Sequence, residues 1–272
     1  MIRALLLLAV LALPARAETI TLLSTTSTQN AGLLDAILPL FEEGTGYEVR
    51  VVAVGTGQAI RMAERGDGDL LLVHARDAEE AFVAAGFGTE RRDVMYNDFV
   101  LVGPAADPAG IAGTEDAVRA LARIAAAEAP FVSRGDDSGT HRAERRLWEA
   151  AGIDPEPASG DWYLEVGQGM GATLNIAAAR GAYALTDRAT WAAFGNKGDL
   201  GIVTAGDPAL FNQYGAIPVS PERHPHVEAE GAAALLDWLT GPEGQAAIAA
   251  FEIDGAPVFW PNAGGTDAGG GG

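Results

Sequence analysis

The chain has 272 residues, which is enough for two domains of ordinary size or one large domain. Hydrophobic residues make up 48% and charged residues 20%, so a disordered or fibrous class is excluded. The formal net charge of −19 opposes nucleic acid or an anionic membrane as a partner. The absence of cysteine excludes disulfides, thiolate nucleophiles and cysteine-ligated metals.

Residues 1–17 have the pattern of a secretory signal peptide. Arg3 precedes an apolar run at residues 4–13, and Ala15-Arg16-Ala17 has the small residues of a cleavage site. The run is too short to cross a hydrocarbon layer of about 30 Å, so no membrane anchor is expected. A lipoprotein would need a cysteine at the cleavage point. We therefore expect a periplasmic protein that begins at Glu18.

Short apolar and β-branched runs alternate with helical patterns along the rest of the chain. Strands are predicted at residues 19–23, 48–54, 69–74, 98–103, 130–133, 163–166, 183–186, 201–204 and 214–219. Helices are predicted at residues 33–41, 59–65, 114–127, 141–151, 172–180, 188–194, 231–239 and 243–251. This alternation predicts an α/β protein.

Three further features concern the organisation of the chain. Residues 104–113 are rich in Ala, Asp, Pro and Gly, and we interpret them as a segment that crosses between two α/β lobes. Thr114 and Asp187 are predicted to cap the helices that follow them. Residues 263–272 are rich in glycine and have no apolar anchor, so we expect a disordered tail.

Four predicted turns between a strand and a helix share one chemistry, because Gly, Ser, Thr and Gln stand immediately before the helix. The start of a helix presents unpaired N–H groups and a partial positive charge, and glycine allows a ligand to approach the backbone. In open α/β sheets such turns lie where ligands bind. Each turn alone is also an ordinary cap, but two turns in each lobe predict an anion site between lobes. The turns are residues 24–29, 55–58, 134–140 and 167–173.

The candidate anion-binding residues come from these four turns. Arg134 adds a permanent cation beside hydroxyl groups, which suits a compact oxyanion. No catalytic residue, resident cofactor or metal ion is predicted. The full set is Ser24, Thr25, Thr26, Ser27, Thr56, Gly57, Arg134, Ser138, Gly139, Thr140 and Gly171.

Five segments together resemble the periplasmic tungstate-binding proteins of ABC importers, and the resemblance extends over residues 19–262. The Thr-Thr-Thr-Ser motif of that family matches residues 24–27, with Ser24 in place of the first threonine. The family's anion-binding arginine and threonine match Arg134 and Thr140. The segments are residues 24–34, 54–59, 71–75, 133–141 and 169–174.

The resemblance implies a type II periplasmic-binding-protein fold, in which two α/β lobes hold an oxyanion in the cleft between them. Lobe 1 would comprise residues 18–103 and 206–262, and lobe 2 residues 104–205. The implied function is capture of tungstate and its delivery to an ABC permease with its ATPase, and we expect a monomer. Molybdate, sulfate and phosphate stay open as ligands, because hydroxyl and N–H donors serve any tetrahedral dianion.

Three histidine features allow other interpretations. His224 and His226 form a His-x-His pair that a metal ion could use, but no third ligand is evident in the sequence. Ser138 and His141, with a neighbouring aspartate, are compatible with a secreted α/β hydrolase, although one turn rarely supplies a whole triad. His74 ends a predicted buried strand and is a candidate for the edge of the cleft.

Overall fold

The computed structural model describes residues 18–264, so the predicted signal peptide and nearly all of the predicted tail lie outside it. The strands are β1 Thr19–Thr25, β2 Glu48–Val54, β3 Leu70–Val73, β4 Arg92–Pro104, β5 Phe131–Ser133, β6 Tyr163–Glu165, β7 Ala184–Asp187, β8 Leu200–Thr204, β9 Phe211–Pro218, β10 Glu252–Ile253, β11 Ala256–Pro257 and β12 Trp260–Pro261. The helices are α1 Thr26–Asn30, α2 Leu33–Thr45, α3 Thr56–Glu64, α4 Arg76–Ala84, α5 Ala117–Ala126, α6 Gly139–Ala150, α7 Met170–Arg180, α8 Arg188–Ala193, α9 Ala229–Thr240 and α10 Pro242–Ala249, with 3-10 turns at Glu156–Ala158 and Pro208–Leu210.

The main sheet has eight strands, and β4 belongs to both halves of it. The order is β12-β4-β9-β3-β1-β2, and β7 and β8 also pair with β4. β1 pairs in parallel with β2 and β3, so the carboxyl ends of these three strands meet at one edge. β5 and β6 form a separate parallel pair, and β10 and β11 form a small antiparallel hairpin.

The long strand β4 passes from one half of the molecule to the other. Its residues 92–98 pair with β9, whereas residues 99–104 pair with β7 and β8. Each half contains most of two buried hydrophobic clusters, although Ala189 of α8 packs into a cluster of the first half and Leu210 into one of the second. The predicted lobe limits place residues 99–103 in lobe 1, but their pairing favours a boundary near residue 98. We propose the division into two lobes with this boundary moved to near residue 98.

Residues 104–113 do not cross between the lobes, contrary to the sequence-based interpretation. The N–H of Ala105 donates to the carbonyl of Asp199, and the N–H of Gly113 donates to the carbonyl of Val203. This segment therefore lies along the second half of the molecule. Strand β4 crosses between the two halves, because its pairing passes without a gap from β9 at residue 98 to β7 at residue 99. The chain that leads into β9 makes the second crossing.

Several predicted turns are the first residues of helices. α1 occupies part of the first turn, α3 begins at Thr56 and α6 begins at Gly139. α4 was not predicted, because charged residues interrupt its apolar pattern. None of the helices within the described residues is long and apolar enough to span a membrane.

The two predicted caps have different outcomes. Asp187 caps α8, because its side chain accepts the N–H of Thr190. Thr114 does not cap α5; Asp116 does, by accepting the N–H of Arg119. Asp116 directly precedes the first residue of α5, whereas Thr114 is two residues further away. The Asp116 carboxylate can therefore accept a free N–H of the first turn and complement the positive end of the helix dipole.

Glu144 is a carboxyl group in the hydrophobic core of the second half. One of its oxygens accepts hydrogen bonds from the Tyr163 hydroxyl at 2.8 Å and from the Trp148 indole N–H at 3.2 Å. Burial raises the pKa of Glu144 to about 7, although these hydrogen bonds lower it in part. The carboxyl therefore keeps its proton at pH values where an exposed glutamate is ionised.

We expect the change that Glu144→Gln makes in the free energy of unfolding to be more stabilising at pH 8 than at pH 4. The unfolded chain loses this proton above an ordinary pKa of 4.5, whereas the folded protein keeps it until about pH 7. The free energy of unfolding therefore falls as the pH rises between these values, by about 3 kcal/mol in total. Glutamine does not titrate and avoids this loss.

Urea unfolding at pH 4, 6 and 8 measures this effect. Glu149→Gln is the matched control, because Glu149 is exposed on the same helix. A stability difference between Glu144→Gln and the parent protein that is the same at all three pH values would contradict the prediction.

Candidate anion-binding site

The first predicted turn is a cluster of hydroxyl groups at the carboxyl end of β1. Thr25 caps α1, since its Oγ1 accepts the N–H of Thr28 at 3.3 Å. The same oxygen lies 3.0 Å from Ser27 Oγ and 2.7 Å from Thr28 Oγ1. Thr25, Ser27 and Thr28 are buried, and Thr26 is half-buried. The turn thus gathers hydroxyls around the first N–H groups of a helix.

Ser24 has a different role from its neighbours. Its hydroxyl is fully buried and donates to the carbonyl of Leu72, at 2.9 Å. The proton of this hydroxyl is therefore used between β1 and β3. The predicted contact of Ser24 with an anion would therefore have to be made by its backbone N–H.

The second and third turns, one from each lobe, touch each other. Thr56 begins α3 and Gly139 begins α6. A methyl group on Gly139 would lie 3.2 Å from Thr56 Oγ1 and 2.6 Å from His74 Cε1. A methyl group on Gly57 would lie 3.6 Å from Arg142 Nη2. The starts of two helices and their hydroxyl groups are thus brought together, and glycine makes the approach possible.

The third turn provides a buried cation. Arg134 is only 5% exposed, and its Nε and Nη2 both donate to Asp136 Oδ2, at 3.1 and 2.5 Å. Ser138 caps α6 by accepting the N–H of His141 at 3.2 Å, and Thr140 is buried one residue after Gly139. Asp136 balances the charge of Arg134 within the turn.

A network of buried amides and rings adjoins these turns, and the sequence analysis did not predict it as a unit. His74 Nδ1 lies 3.0 Å from Asn212 Oδ1, and Asn212 Nδ2 donates to Asn97 Oδ1 at 2.6 Å. Asn97 Nδ2 in turn lies 3.4 Å from the Tyr214 hydroxyl, and the His74 and Tyr214 rings are 4.8 Å apart. The network sits on β4 and β9, where the chain crosses between lobes.

The sequence offered only a weak signal for this network. Its members are single polar residues within apolar strands, and only their burial shows that they face one another. Because His74 donates Nδ1–H to Asn212 in this arrangement, its Nε2 is left as an acceptor. His74 directly follows β3 and lies against Gly139 of the other half of the molecule.

The fourth turn is next to the third, but Gly171 is not brought into the site. Gly167 N–H donates to the carbonyl of Arg134 at 2.8 Å, so the two turns are neighbours. Gly171 is exposed, and a methyl group placed on it would have no other atom within 4 Å. No contact of Gly171 supports its predicted place in the site.

Asp187 is a buried carboxyl group for which the sequence predicts only a capping role. It is 2% exposed, and its Oδ1 accepts the N–H of Thr190 at 2.8 Å. Its Oδ2 has no hydrogen-bond partner among residues 18–264. Burial raises the pKa of Asp187, although the Thr190 hydroxyl, the N–H of Thr190 and the nearby Arg134 guanidinium lower it in part.

Neither of the histidine alternatives has support in the geometry. Ser138 Oγ accepts the backbone N–H of His141, whereas the His141 ring accepts the N–H of Asp137 at 3.1 Å, so serine and imidazole are not paired. His224 Nε2 and His226 Nε2 lie 3.0 and 2.9 Å from backbone carbonyls at the end of α3. Within the described part of the chain, no group of three or more His, Asp or Glu residues is placed to hold a metal ion.

The chain is similar to proteins of known type over most of its length. Residues 13–243 match the family model of the PBP superfamily domain. The chain is 50% identical to the tungstate-binding protein TupA of Peptoclostridium acidaminophilum over 250 residues, which are 90% of this chain and 86% of the relative. The solved structure of TupA from Desulfovibrio alaskensis G20 is 49% identical with a TM-score of 0.79, and the match covers 91% of this chain and 100% of that one. The structure of the tungstate ABC transporter from Geobacter sulfurreducens is 51% identical with a TM-score of 0.80, covering 87% and 100% of the two chains.

We expect His74 to make the protein sensitive to mild acid. Burial lowers the pKa of His74 to about 4, and the nearby Arg134 and Arg146 lower it further, against the hydrogen bond to Asn212. The unfolded chain binds a proton below about pH 6.5, whereas the folded protein does not do so until about pH 4. Stability is therefore lost as the pH falls between these values, by about 3 kcal/mol.

Thermal unfolding between pH 4 and pH 7 tests this expectation in His74→Gln, which does not titrate. His226→Gln serves as the control, because His226 lies in an exposed loop. If His74→Gln loses as much stability in acid as the parent protein does, the acid sensitivity arises from groups other than His74.

Proposed function

Because this chain belongs to the PBP superfamily and, within it, to the family of the tungstate-binding protein TupA, we propose that it binds tungstate between its lobes and passes it to an ABC importer. The predicted family and the predicted fold class are confirmed by the same similarities. One observation carries the site: Gly139 of lobe 2 lies against Thr56 and His74 of lobe 1, which brings the starts of α3 and α6 together.

A dianion that enters the cleft loses its hydration water, and contacts with the protein must replace the free energy of hydration that is lost. A hydrogen bond to a charged group contributes about 1.5–3 kcal/mol net, and the start of a helix contributes about 0.3–2 kcal/mol. About six to eight such contacts are therefore needed. The donors proposed are the N–H and hydroxyl groups of three helix starts and the guanidinium of Arg134. They are Thr25, Thr26, Ser27, Thr56, Gly57, Arg134, Ser138, Gly139 and Thr140.

These donors come from both lobes, so the anion stabilises the arrangement in which the lobes touch. A ligand shifts such an equilibrium only by its different affinity for the two states, and a divided site provides that difference. β4 and the chain leading into β9 would act as the hinge. An ABC permease and its ATPase would then recognise the ligand-bound shape on the periplasmic side of the membrane.

Titration with four oxyanions tests the proposed function. We expect saturating tungstate to raise the melting temperature by about 8–16 °C, which corresponds to about 4 kcal/mol at a thousandfold excess over Kd. Molybdate should give a similar or slightly smaller shift, because it has nearly the same size and charge. Sulfate and phosphate should give much smaller shifts, since a smaller anion does not reach every donor at once.

Calorimetry of the same mixtures measures the affinities. The variant Arg134→Ala is titrated in parallel, because it lacks the cation proposed for the site. Failure of all four anions to bind would overturn the proposed function. Binding that stays within threefold of the parent in Arg134→Ala would place the anion away from this cleft.

We expect Gly139→Ala to weaken tungstate binding at least tenfold without unfolding either lobe. The added methyl group would lie 2.6 Å from His74 Cε1 in the other lobe, so the lobes must separate to accommodate it. Gly171→Ala is the contrasting variant, because its methyl group would meet no atom within 4 Å. Circular dichroism checks the fold and calorimetry the affinity. An unchanged affinity in Gly139→Ala, or an equal loss in Gly171→Ala, would contradict this assignment of the two glycines.

A further inference from the structure

Two polar side chains at the start of α8 have atoms without partners. Asp187 Oδ2 and Thr190 Oγ1 are both withdrawn from solvent and lack a hydrogen bond within residues 18–264. Both residues are buried, and they are held together by the bond from Thr190 N–H to Asp187 Oδ1. Buried polar atoms of folded proteins are nearly always hydrogen-bonded, so two such atoms on one turn point to a missing partner.

The position of this turn indicates where that partner lies. α8 packs against α1, the helix of the first hydroxyl cluster. Asp187 pairs across the sheet with Phe99 of β4, and the Phe99 and His74 rings are 6.4 Å apart. Asp187 and Thr190 therefore lie beside the buried network and next to the first hydroxyl cluster, and the Arg134 guanidinium acts on the ionisation of Asp187.

Most charged groups of the surrounding elements are already paired with one another. Arg134 is paired with Asp136, and on β4 Asp98 is paired with Arg188. On α6, Glu144 is held by two ring groups of the core, and Arg142 and Arg145 are paired with Asp137 and Glu156. The other titratable residues of α6 are His141, Arg146 and Glu149. α1 and β5 contain no ionisable side chain.

The remaining elements add few titratable groups. β9 contributes the Tyr214 hydroxyl, and β3 ends at the neutral His74 beside Arg134. The hairpin strand β10, which also packs on α8, carries the exposed Glu252, and α7 carries Arg180 at its exposed last residue.

These pairings leave a charge problem once a dianion is bound. The single charge of Arg134 is already balanced by Asp136, so an ionised Asp187 would face the anion without compensation. Like charges at close range in a buried site are strongly unfavourable. A proton on Asp187 removes this repulsion and turns its free oxygen into a donor. Burial of the carboxyl acts in the same direction.

We propose that Asp187 carries a proton in the anion complex and, with the Thr190 hydroxyl, donates a hydrogen bond to the oxyanion, so that binding takes up one proton from solvent. This inference rests on the proposed function, since it assigns two further residues to the same cleft. The proton joins Asp187 Oδ2, and no covalent bond of the anion changes.

Calorimetric titration with tungstate tests the proposal at pH 6, 7 and 8, in buffers that differ in ionisation enthalpy. For the parent protein we expect uptake approaching one proton per anion, and a Kd that rises up to tenfold per pH unit where uptake is complete. In Asp187→Asn, whose amide donates without titrating, the uptake should disappear and the Kd should stay nearly constant. Its affinity at pH 8 should equal or exceed that of the parent.

Asp116→Asn is the matched control. Asp116 also caps a helix, α5, through a backbone N–H, and asparagine caps equally well. We expect this variant to keep the proton uptake and the pH dependence of the parent. Thr190→Val should weaken binding at every pH while leaving the uptake in place.

Four results would overturn the proposal. Tungstate binding without proton uptake shows that Asp187 does not gain a proton. Uptake that persists in Asp187→Asn places the proton on another group, such as His74. Weaker binding by Asp187→Asn together with a preference of the parent for phosphate makes Asp187 an acceptor for a protonated anion. A parent protein that binds none of the oxyanions instead overturns the proposed function, and this inference falls with it.

Discussion

The cost of removing water from a doubly charged anion is the constraint on which this site depends. The chain is strongly acidic, with a formal net charge of −19, so its overall field repels the ligand that its cleft is proposed to hold. Only groups within hydrogen-bond distance can oppose that repulsion. Helix starts, hydroxyls and a single buried arginine meet this need because their donors are fixed before the anion arrives and lose little freedom on binding.

The same constraint explains why the site is divided between two lobes. One helix start offers only a few N–H groups, and one turn has room for few hydroxyls. Bringing α3 and α6 together requires a position without a side chain, and Gly139 provides it against Thr56 and His74. The long strand β4 and the amides of Asn97 and Asn212 tie the junction together, and this junction is the hinge that we propose for the two lobes.

Burial shifts the pKa values of several ionisable groups of this protein in the direction that favours their neutral forms. The pKa of His74 is lowered to about 4 and that of Glu144 is raised to about 7, in each case chiefly because the charged form loses its hydration. Asp187 is shifted in the same sense as Glu144. A neutral surrounding leaves the field of Arg134 and the helix starts as the main electrostatic influence on a bound anion, which favours binding in an acidic protein.

The sequence by itself determined the α/β class, most strands and helices, and the hydroxyl-rich turns, because hydrophobic periodicity and helix capping depend on residues close together in the chain. It also identified Arg134 as the cation of the third turn. The tertiary structure decided what depends on distant residues: the use of the Ser24 hydroxyl by Leu72, the exposure of Gly171, and the meeting of His74 with Asn212. It also decided that β4, and not residues 104–113, makes the crossing, because strand pairing is set between segments far apart in sequence.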